Sequence, residues 1–458
     1  MSDSSDPQTA SFPTAAVVCV VSLVGLLVSW AWTAAVPSAA AVVTFNAFQV
    51  VMISIVIWQA CDPFADAAQY FGERWRLPGS VRGATLDAIA SSLPELFTGL
   101  FFVLLAAGVG DQASADGETE GLGATIATCA GSAVYNMMLI PALCGIVIAR
   151  TRHQKPVIEV ESKVISRDGL WFLACELVLI VFLFQPAMSW GMAATLLLMY
   201  VAYVYMLVLD SRSYRIARDA VVDRFTDEHV PSTDELVDAL NAAGIKPSLQ
   251  LINQVRRELV AGAIVGDPVH DEDGDEDDTA GILFGRFEVK LTPVVGYSIL
   301  AVSTVIAAAA CYWLVEVTQS TATTLNVPLF FVAVIVAAAA SSVPDTFLSI
   351  AAARRGDDDG AVSNAFGSNI FDICICLSVP LLVSVYLNGG KPVPLTIDGQ
   401  PMAGLFGLQI LLCASTIVTL LIMWQDLRLT LTKSWILVGL YGIFVAYAVA
   451  GSLGILNL

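Results

Sequence analysis

Two stretches decide how this chain folds: Ala88-Ile89-Ala90-Ser91-Ser92-Leu93-Pro94-Glu95 and Ala338-Ala339-Ala340-Ser341-Ser342-Val343-Pro344-Asp345. They stand about 250 residues apart, each inside a strongly apolar run. After each comes a Gly-Ser segment with a polar residue four places past the serine. These are Gly131-Ser132-Ala133-Val134-Tyr135-Asn136 and Gly367-Ser368-Asn369-Ile370-Phe371-Asp372. A carboxylate beside a proline is costly in an apolar helix. A chain that carries the pair twice points to a pathway for cations through a membrane.

Composition agrees. The chain has 458 residues, of which 57% are hydrophobic and only 14% charged. Apolar runs long enough to cross a bilayer recur. Spans are expected at 14–36, 40–66, 83–108, 122–149, 168–184, 189–209, 291–317, 327–353, 362–387, 403–425 and 433–453. Backbone groups in lipid must be satisfied within their own segment, so these spans are helices. The expected fold is an all-α integral membrane protein, with a ten-helix core of two inverted five-helix repeats plus an extra N-terminal helix. The expected divisions are a tail with an extra helix or signal anchor (1–37), a first repeat (38–209), a central loop (210–290) and a second repeat (291–458).

Basic residues test that topology. Of the 22 Lys and Arg, every one except Lys391 falls on one side under this span list. The positive-inside rule makes that side, and the central loop, cytoplasmic. On the same count the helix with Glu95 runs outward and the helix with Asp345 runs inward, so the two motifs are inverted. The leader Met1–Thr14 has no Lys or Arg, unlike a secretory signal, and the first helix is read as retained.

Net charge is −19, with much of the acid in the central loop and in the outer loop of Asp111, Asp116, Glu118 and Glu120. No basic nucleic-acid footprint is present. Nine scattered cysteines fit no zinc or disulfide spacing and read as small core residues. In the central loop, Ser232-Thr233-Asp234-Glu235 marks a helix start and Gly244 a stop. A second amphipathic stretch opens at Pro247 and runs through Leu249, Ile252, Val255 and Leu259. The acidic run 271–278 reads as a linker rather than a calcium loop, because no Glu closes it.

On a helix, Ala88, Ser92 and Glu95 share one face. Pro94 removes a backbone donor and crowds the carbonyl of Ala90. The freed carbonyl, the Glu95 carboxylate and the Ser91 and Ser92 hydroxyls are hard oxygen donors, suited to Ca²⁺, Na⁺ or K⁺. Ser341, Ser342, Pro344 and Asp345 repeat the set. The pairs Ser132/Asn136 and Ser368/Asp372 each add two more donors on one face. Glu95, Asp345 and Asp372 together carry −3 if ionised. Ca²⁺ with one monovalent cation balances them, as does a set of Na⁺ ions partly with protons. Asp87 has no acidic counterpart, since Ala337 stands at its place. It is read as lining an inner vestibule or capping the helix start.

These residues resemble the cation/calcium exchanger superfamily, and within it the potassium-dependent sodium/calcium exchangers. Val81–Val103 with Gly121–Leu143 is similar to the first repeat of that family, and Phe331–Leu382 to the second. Cys61-Asp62 also fits that branch. The resemblance implies that Glu95 and Asp345 are paired acids ligating Ca²⁺ and competing Na⁺. Ser91, Ser92, Ser341 and Ser342 would add hydroxyl or carbonyl ligands, and Ser132, Asn136 and Ser368 would complete the site. Asp at 372 implies K⁺ dependence, where potassium-independent animal relatives have Asn. Ala90 and Ala340 depart from the glycine common in the family.

The expected function is antiport of Na⁺ against Ca²⁺ with K⁺ co-transport, by alternating access, in the cell membrane. The alternative is a proton/calcium antiporter on the same fold. No cofactor is implied, and the ions are cargo. No enzymatic chemistry is expected. The sequence holds no phosphate-binding loop, and His153, His229 and His270 all lie outside the spans.

Overall fold

The computed structural model describes residues 12–75, 83–108, 117–152, 156–160, 165–222, 232–242, 279–356, 358–397, 400–402 and 404–455, with single residues 162 and 252. The expected helix stop at Gly244, the amphipathic stretch after Pro247 apart from Ile252, and the acidic run 271–278 lie outside these residues, as do Asp111 and Asp116.

Each of the eleven expected spans meets a helix. α1 is Phe12–Ala35 and α2 is Ala39–Arg74. α3 is Ala88–Ala106, entered through a π-helical turn at Gly83–Asp87. α4 (Gly117–Val134) continues through a π turn at Tyr135–Leu139 into α5 (Ile140–Thr151). α6 (Leu170–Leu183) follows a π turn at Ile165–Gly169, and α7 is Trp190–Val222. α8 (Thr233–Ala242) lies in the central loop. α9 is Pro293–Leu325, α10 is Leu329–Ser341 and α11 is Val343–Arg355. α12 (Asp358–Phe371) runs through a π turn at Asp372–Cys376 into α13 (Ser378–Leu387). α14 (Leu405–Trp424) and α15 (Leu431–Ser452) end the fold.

Among the described residues, eight helices are long and apolar enough to cross a membrane, or nine if the bent pair α10–α11 is one span. α6 and α14 account for the shortfall. α6 has 14 residues, about 21 Å at 1.5 Å per residue, against roughly 30 Å of hydrocarbon. α14 runs 20 residues, Leu405–Trp424, of which Ile410–Trp424 is the apolar stretch counted among the described residues.

Burial separates a centre from a periphery. Over an 18-residue apolar stretch within Gly117–Thr151, 78% of residues are buried, and over one within Gly360–Leu387, 67%. In α1 the figure is 11%. A helix apolar all round can face lipid, whereas the motif helices carry small and polar residues and must be enclosed. Gly131 shows how close the packing is. A Cβ there would press into the carbonyl of Val334 and lie 2.8 Å from the Ala338 Cβ.

Local signals hold at several ends. Thr292 caps α9, its hydroxyl accepting from Val295 N–H at 3.3 Å, and Asn326 closes that helix in the left-handed region at φ 54°. At the expected helix start in the central loop, Ser232 and Glu235 form a reciprocal capping box at the head of α8. Among the described residues, the π turns and four short two-stranded sheets were not anticipated, the longest of these sheets being a hairpin in the central loop. Thr279–Ile282 and Phe287–Lys290 pair as an antiparallel hairpin where only loop was expected.

Candidate functional site

The π turns set the site. They precede α3 and the motif part of α10 at matching places (Gly83–Asp87 and Ala333–Ala337), and they open at or beside Asn136 and Asp372. An extra residue in a helical turn leaves backbone groups mispaired and re-aims side chains, which is why such turns gather at functional places. Here they turn two pairs of helices so that their polar faces meet.

Glu95, Asp345 and Asp372 are fully buried, and so are Ser91, Ser92, Ser132, Asn136, Ser341, Ser342 and Ser368. Ser132 is the hub. Its hydroxyl lies 2.9 Å from Asp372 Oδ2, 3.4 Å from Glu95 Oε1 and 2.8 Å from Ser342 Oγ. The Ser342 hydroxyl also reaches Glu95 Oε1, at 3.2 Å. Asn136 Nδ2 donates to Asp345 Oδ2 and to Ser132 Oγ, both at 3.4 Å. Ser368 Oγ donates to Asp345 Oδ1 at 2.7 Å and lies 3.1 Å from Ser91 Oγ. All three acids are thus joined in one network drawn from both motifs.

Two of the expected ligands stay beside the network. Ser341 Oγ donates back to Ala338 O at 3.2 Å, while Ser92 Oγ makes no hydrogen bond. They remain close by, Ser341 near Glu95 and Ser92 near Asp372. Asp87 does not cap α3 through its side chain, so that part of its expected role is corrected.

Counting donors shows what the site lacks. A serine hydroxyl has one proton, so Ser132 can satisfy only one of its acceptors. Glu95 Oε2, Asp372 Oδ1 and Asn136 Oδ1 have no partner at all. Among the described residues, no Lys, Arg or His bonds to any of the three acids. Buried carboxylate oxygens with neither donor nor counter-charge cost several kcal/mol each, about what a bound cation or proton would offset. Among the described residues, no three His, Cys, Asp or Glu are placed to hold a metal ion by themselves. The acids are spaced by hydroxyls and an amide, a mixed oxygen set. That chemistry suits a hard cation that must be released, rather than a resident transition metal.

Sequence reasoning gave no role to three other buried polar groups. Cys376, read as inert core, places Sγ 3.5 Å from the carbonyl of Ser92. Asn369, quoted in the motif but given no role, donates to Ala133 O at 3.2 Å and ties α12 to α4. Glu176 is fully buried, with Oε1 accepting from Thr416 at 2.6 Å and Oε2 unpartnered. An acid inside the apolar stretch 168–184 was the available signal for it.

Buried acids shared between two duplicated helix pairs define a polytopic membrane protein built around an internal polar centre. The sequence matches the family described as sodium/calcium exchanger protein over residues 45–209 and 295–450, and the chain belongs to that family. It is 32% identical over 145 residues to human sodium/potassium/calcium exchanger 3, which covers 31% of this chain and 19% of that protein. It is 23% identical over 385 residues to human sodium/potassium/calcium exchanger 5, covering 75% of this chain and 71% of that one. The matched segment thus spans about a fifth of the exchanger 3 relatives. Among solved structures, the fold is shared with native YfkE (TM-score 0.55, 15% identity, 96% of this chain and 99% of that one). It is also shared with the H⁺/Ca²⁺ exchanger CAX (TM-score 0.54, 14% identity, 97% and 94%).

Proposed function

We propose that this chain is a secondary-active antiporter that exchanges Na⁺ for Ca²⁺ with K⁺ co-transport, by alternating access. The observation that carries the reading is the network of Glu95, Asp345 and Asp372, fully buried, linked through Ser132, Ser342 and Asn136, and short of donors. In this reading the ten core helices are α2, α3, α4–α5, α6, α7, α9, α10–α11, α12–α13, α14 and α15. They form two inverted five-helix repeats after an extra α1, in the cell membrane with the central loop cytoplasmic. The names of the human relatives, sodium/potassium/calcium exchangers, support the choice of ions.

The acids hold Ca²⁺ together with K⁺, or Na⁺ ions in their place, with Ser91, Ser92, Ser132, Asn136, Ser341, Ser342 and Ser368 supplying the neutral ligands. Three negative charges are matched by Ca²⁺ plus one K⁺. A neutral, filled site can pass between outward- and inward-facing states, whereas a part-filled, charged site meets a large desolvation barrier. That difference couples the fluxes without ATP.

The test is ⁴⁵Ca²⁺ uptake into vesicles holding the purified protein, with Na⁺, K⁺ and pH gradients imposed separately. Uptake should need an outward Na⁺ gradient and rise with K⁺. Uptake driven by a proton gradient without Na⁺ would establish the proton/calcium alternative, and no Ca²⁺ uptake under any gradient would end both.

A further inference from the structure

The hairpin Thr279–Lys290 ends the central loop and leads directly into α9. Its tip, Leu283-Phe284-Gly285, has φ values of 54°, 60° and 69°. For leucine and phenylalanine this left-handed conformation is unfavourable and persists only where the surroundings hold it. The surroundings here are α2. Phe284 N–H donates to Gln59 Oε1 at 2.7 Å, and Gly281 N–H donates to Asp66 Oδ2 at 3.0 Å. Below the strands, Ala280 and Leu291 pack on Ala67.

From the tip, an aromatic chain leads to α11, the helix that carries Asp345. The Phe284 ring meets Trp58 edge-on at 5.4 Å. Trp58 stacks on Phe347 at 3.7 Å with planes 8° apart. Phe347 is two residues past Asp345 on α11. Trp58, Phe284 and Phe347 also wall a cavity of about 590 Å³, together with Tyr135, Ala340 and Val343. Ala340 and Val343 flank Ser341 and Ser342. One wall of this cavity is therefore the hairpin tip, and another is formed by Ala340 and Val343 of the second motif. A lining this apolar offers a cation no ligands and makes its entry costly.

We propose that the hairpin is a latch. Seated on α2, it keeps the cavity dry and closes the approach to Asp345 from the side of the central loop. Lifted, it admits water and cations. The idea rests on the three acids being the cation site, but its test requires no transport.

The experiment is amide hydrogen–deuterium exchange on the full-length protein in nanodiscs, comparing wild type, Phe284→Ala and Gln59→Ala. Removing the ring should speed exchange in residues 335–347 by roughly tenfold, with α14 and α15 unchanged. Gln59→Ala removes one acceptor and leaves the aromatic contacts, so it should act at the same residues to a smaller extent. It decides the matter should Phe284→Ala loosen the whole protein. Unchanged exchange in 335–347 overturns the latch. If the wild type moves no Ca²⁺ while Phe284→Ala still speeds local exchange, the transport reading fails and the latch stands.

Discussion

The two Ser-Ser-x-Pro-acid segments share a sequence pattern and differ in shape. Around Pro94 the helix α3 is unbroken from Ala88 to Ala106. Around Pro344 the chain stops being helical at Ser342 (φ −81°, ψ 5°), and α10 and α11 meet at 41°. What they keep in common is a hydroxyl turned back on its own helix, from Ser91 to Ala88 O at 3.3 Å and from Ser341 to Ala338 O at 3.2 Å. What differs lies one residue further on. Ser342 bonds Ser132 and Glu95, and its carbonyl accepts from the Thr346 hydroxyl at 3.1 Å. Ser92 Oγ bonds nothing. A proline removes a donor in both copies, but only around Pro344 does the helix open. The copies differ in charge too. Asn136 donates toward Asp345 from the position that, in the second copy, is the acceptor Asp372. The first copy supplies donors to the second copy's acids.

The strongest way to break this comparison is to neutralise one acid from each copy. Glu95→Gln and Asp345→Asn should each reduce Na⁺-driven ⁴⁵Ca²⁺ uptake by about 100-fold, or roughly 2.7 kcal/mol. The two losses should match, because the acids share one network. A large loss from only one of them would mean that the copies work separately. Next in size is Gly131→Ala, at the point where the first copy's backbone meets Val334 and Ala338 of the second. Overpacking there should cost about 1–3 kcal/mol, read as a lowered melting temperature in detergent. Gly439→Ala, with open space around it, should leave melting unchanged. Smaller again is Asp372→Asn, which makes the two copies alike at this position. Uptake should fall about tenfold, about 1.4 kcal/mol, and added K⁺ should no longer raise it. If K⁺ stimulation survives, the third acid is not what recruits the extra ion.

Much of this centre was legible because its signals are expensive. Charges, prolines and serines in apolar runs stand out against leucine and valine, and their repetition marks them as paired. Each expected span meets a helix, since hydropathy reports apolarity directly, though only eight or nine helices among the described residues are long and apolar enough to cross a membrane. The break at Ser342 and the continuity at Pro94 were not legible, because both segments read Ser-Ser-x-Pro and the small differences beside it, Leu93 and Glu95 against Val343 and Asp345, do not by themselves foretell a break. The π turns left no mark in residue type. Nor did the hairpin at Thr279–Lys290. Its turn carries Leu283 and Phe284 where Asn or Gly would be the usual signal, and its stability comes from Gln59 and Asp66 more than 200 residues earlier. Trp58 and Phe347 looked like ordinary apolar residues until they were seen stacked.

The smallest expected effect sharpens the contrast most. If the bend at Ser342 is set by Pro344 together with the bonds that Ser342 makes, restoring the backbone donor should let α10 and α11 straighten. That would pull Ser342 Oγ away from Glu95 and Ser132. If α3 is held straight by its packing despite Pro94, restoring the donor there changes little. Pro344→Ala should therefore cut uptake about fivefold, about 1 kcal/mol, chiefly by weakening apparent Ca²⁺ affinity. Pro94→Ala should change it by less than about twofold. Titrating Ca²⁺ against uptake for the two variants side by side reads the difference. Equal effects would show that the prolines act alike and that the unlike shapes of the two copies have another cause.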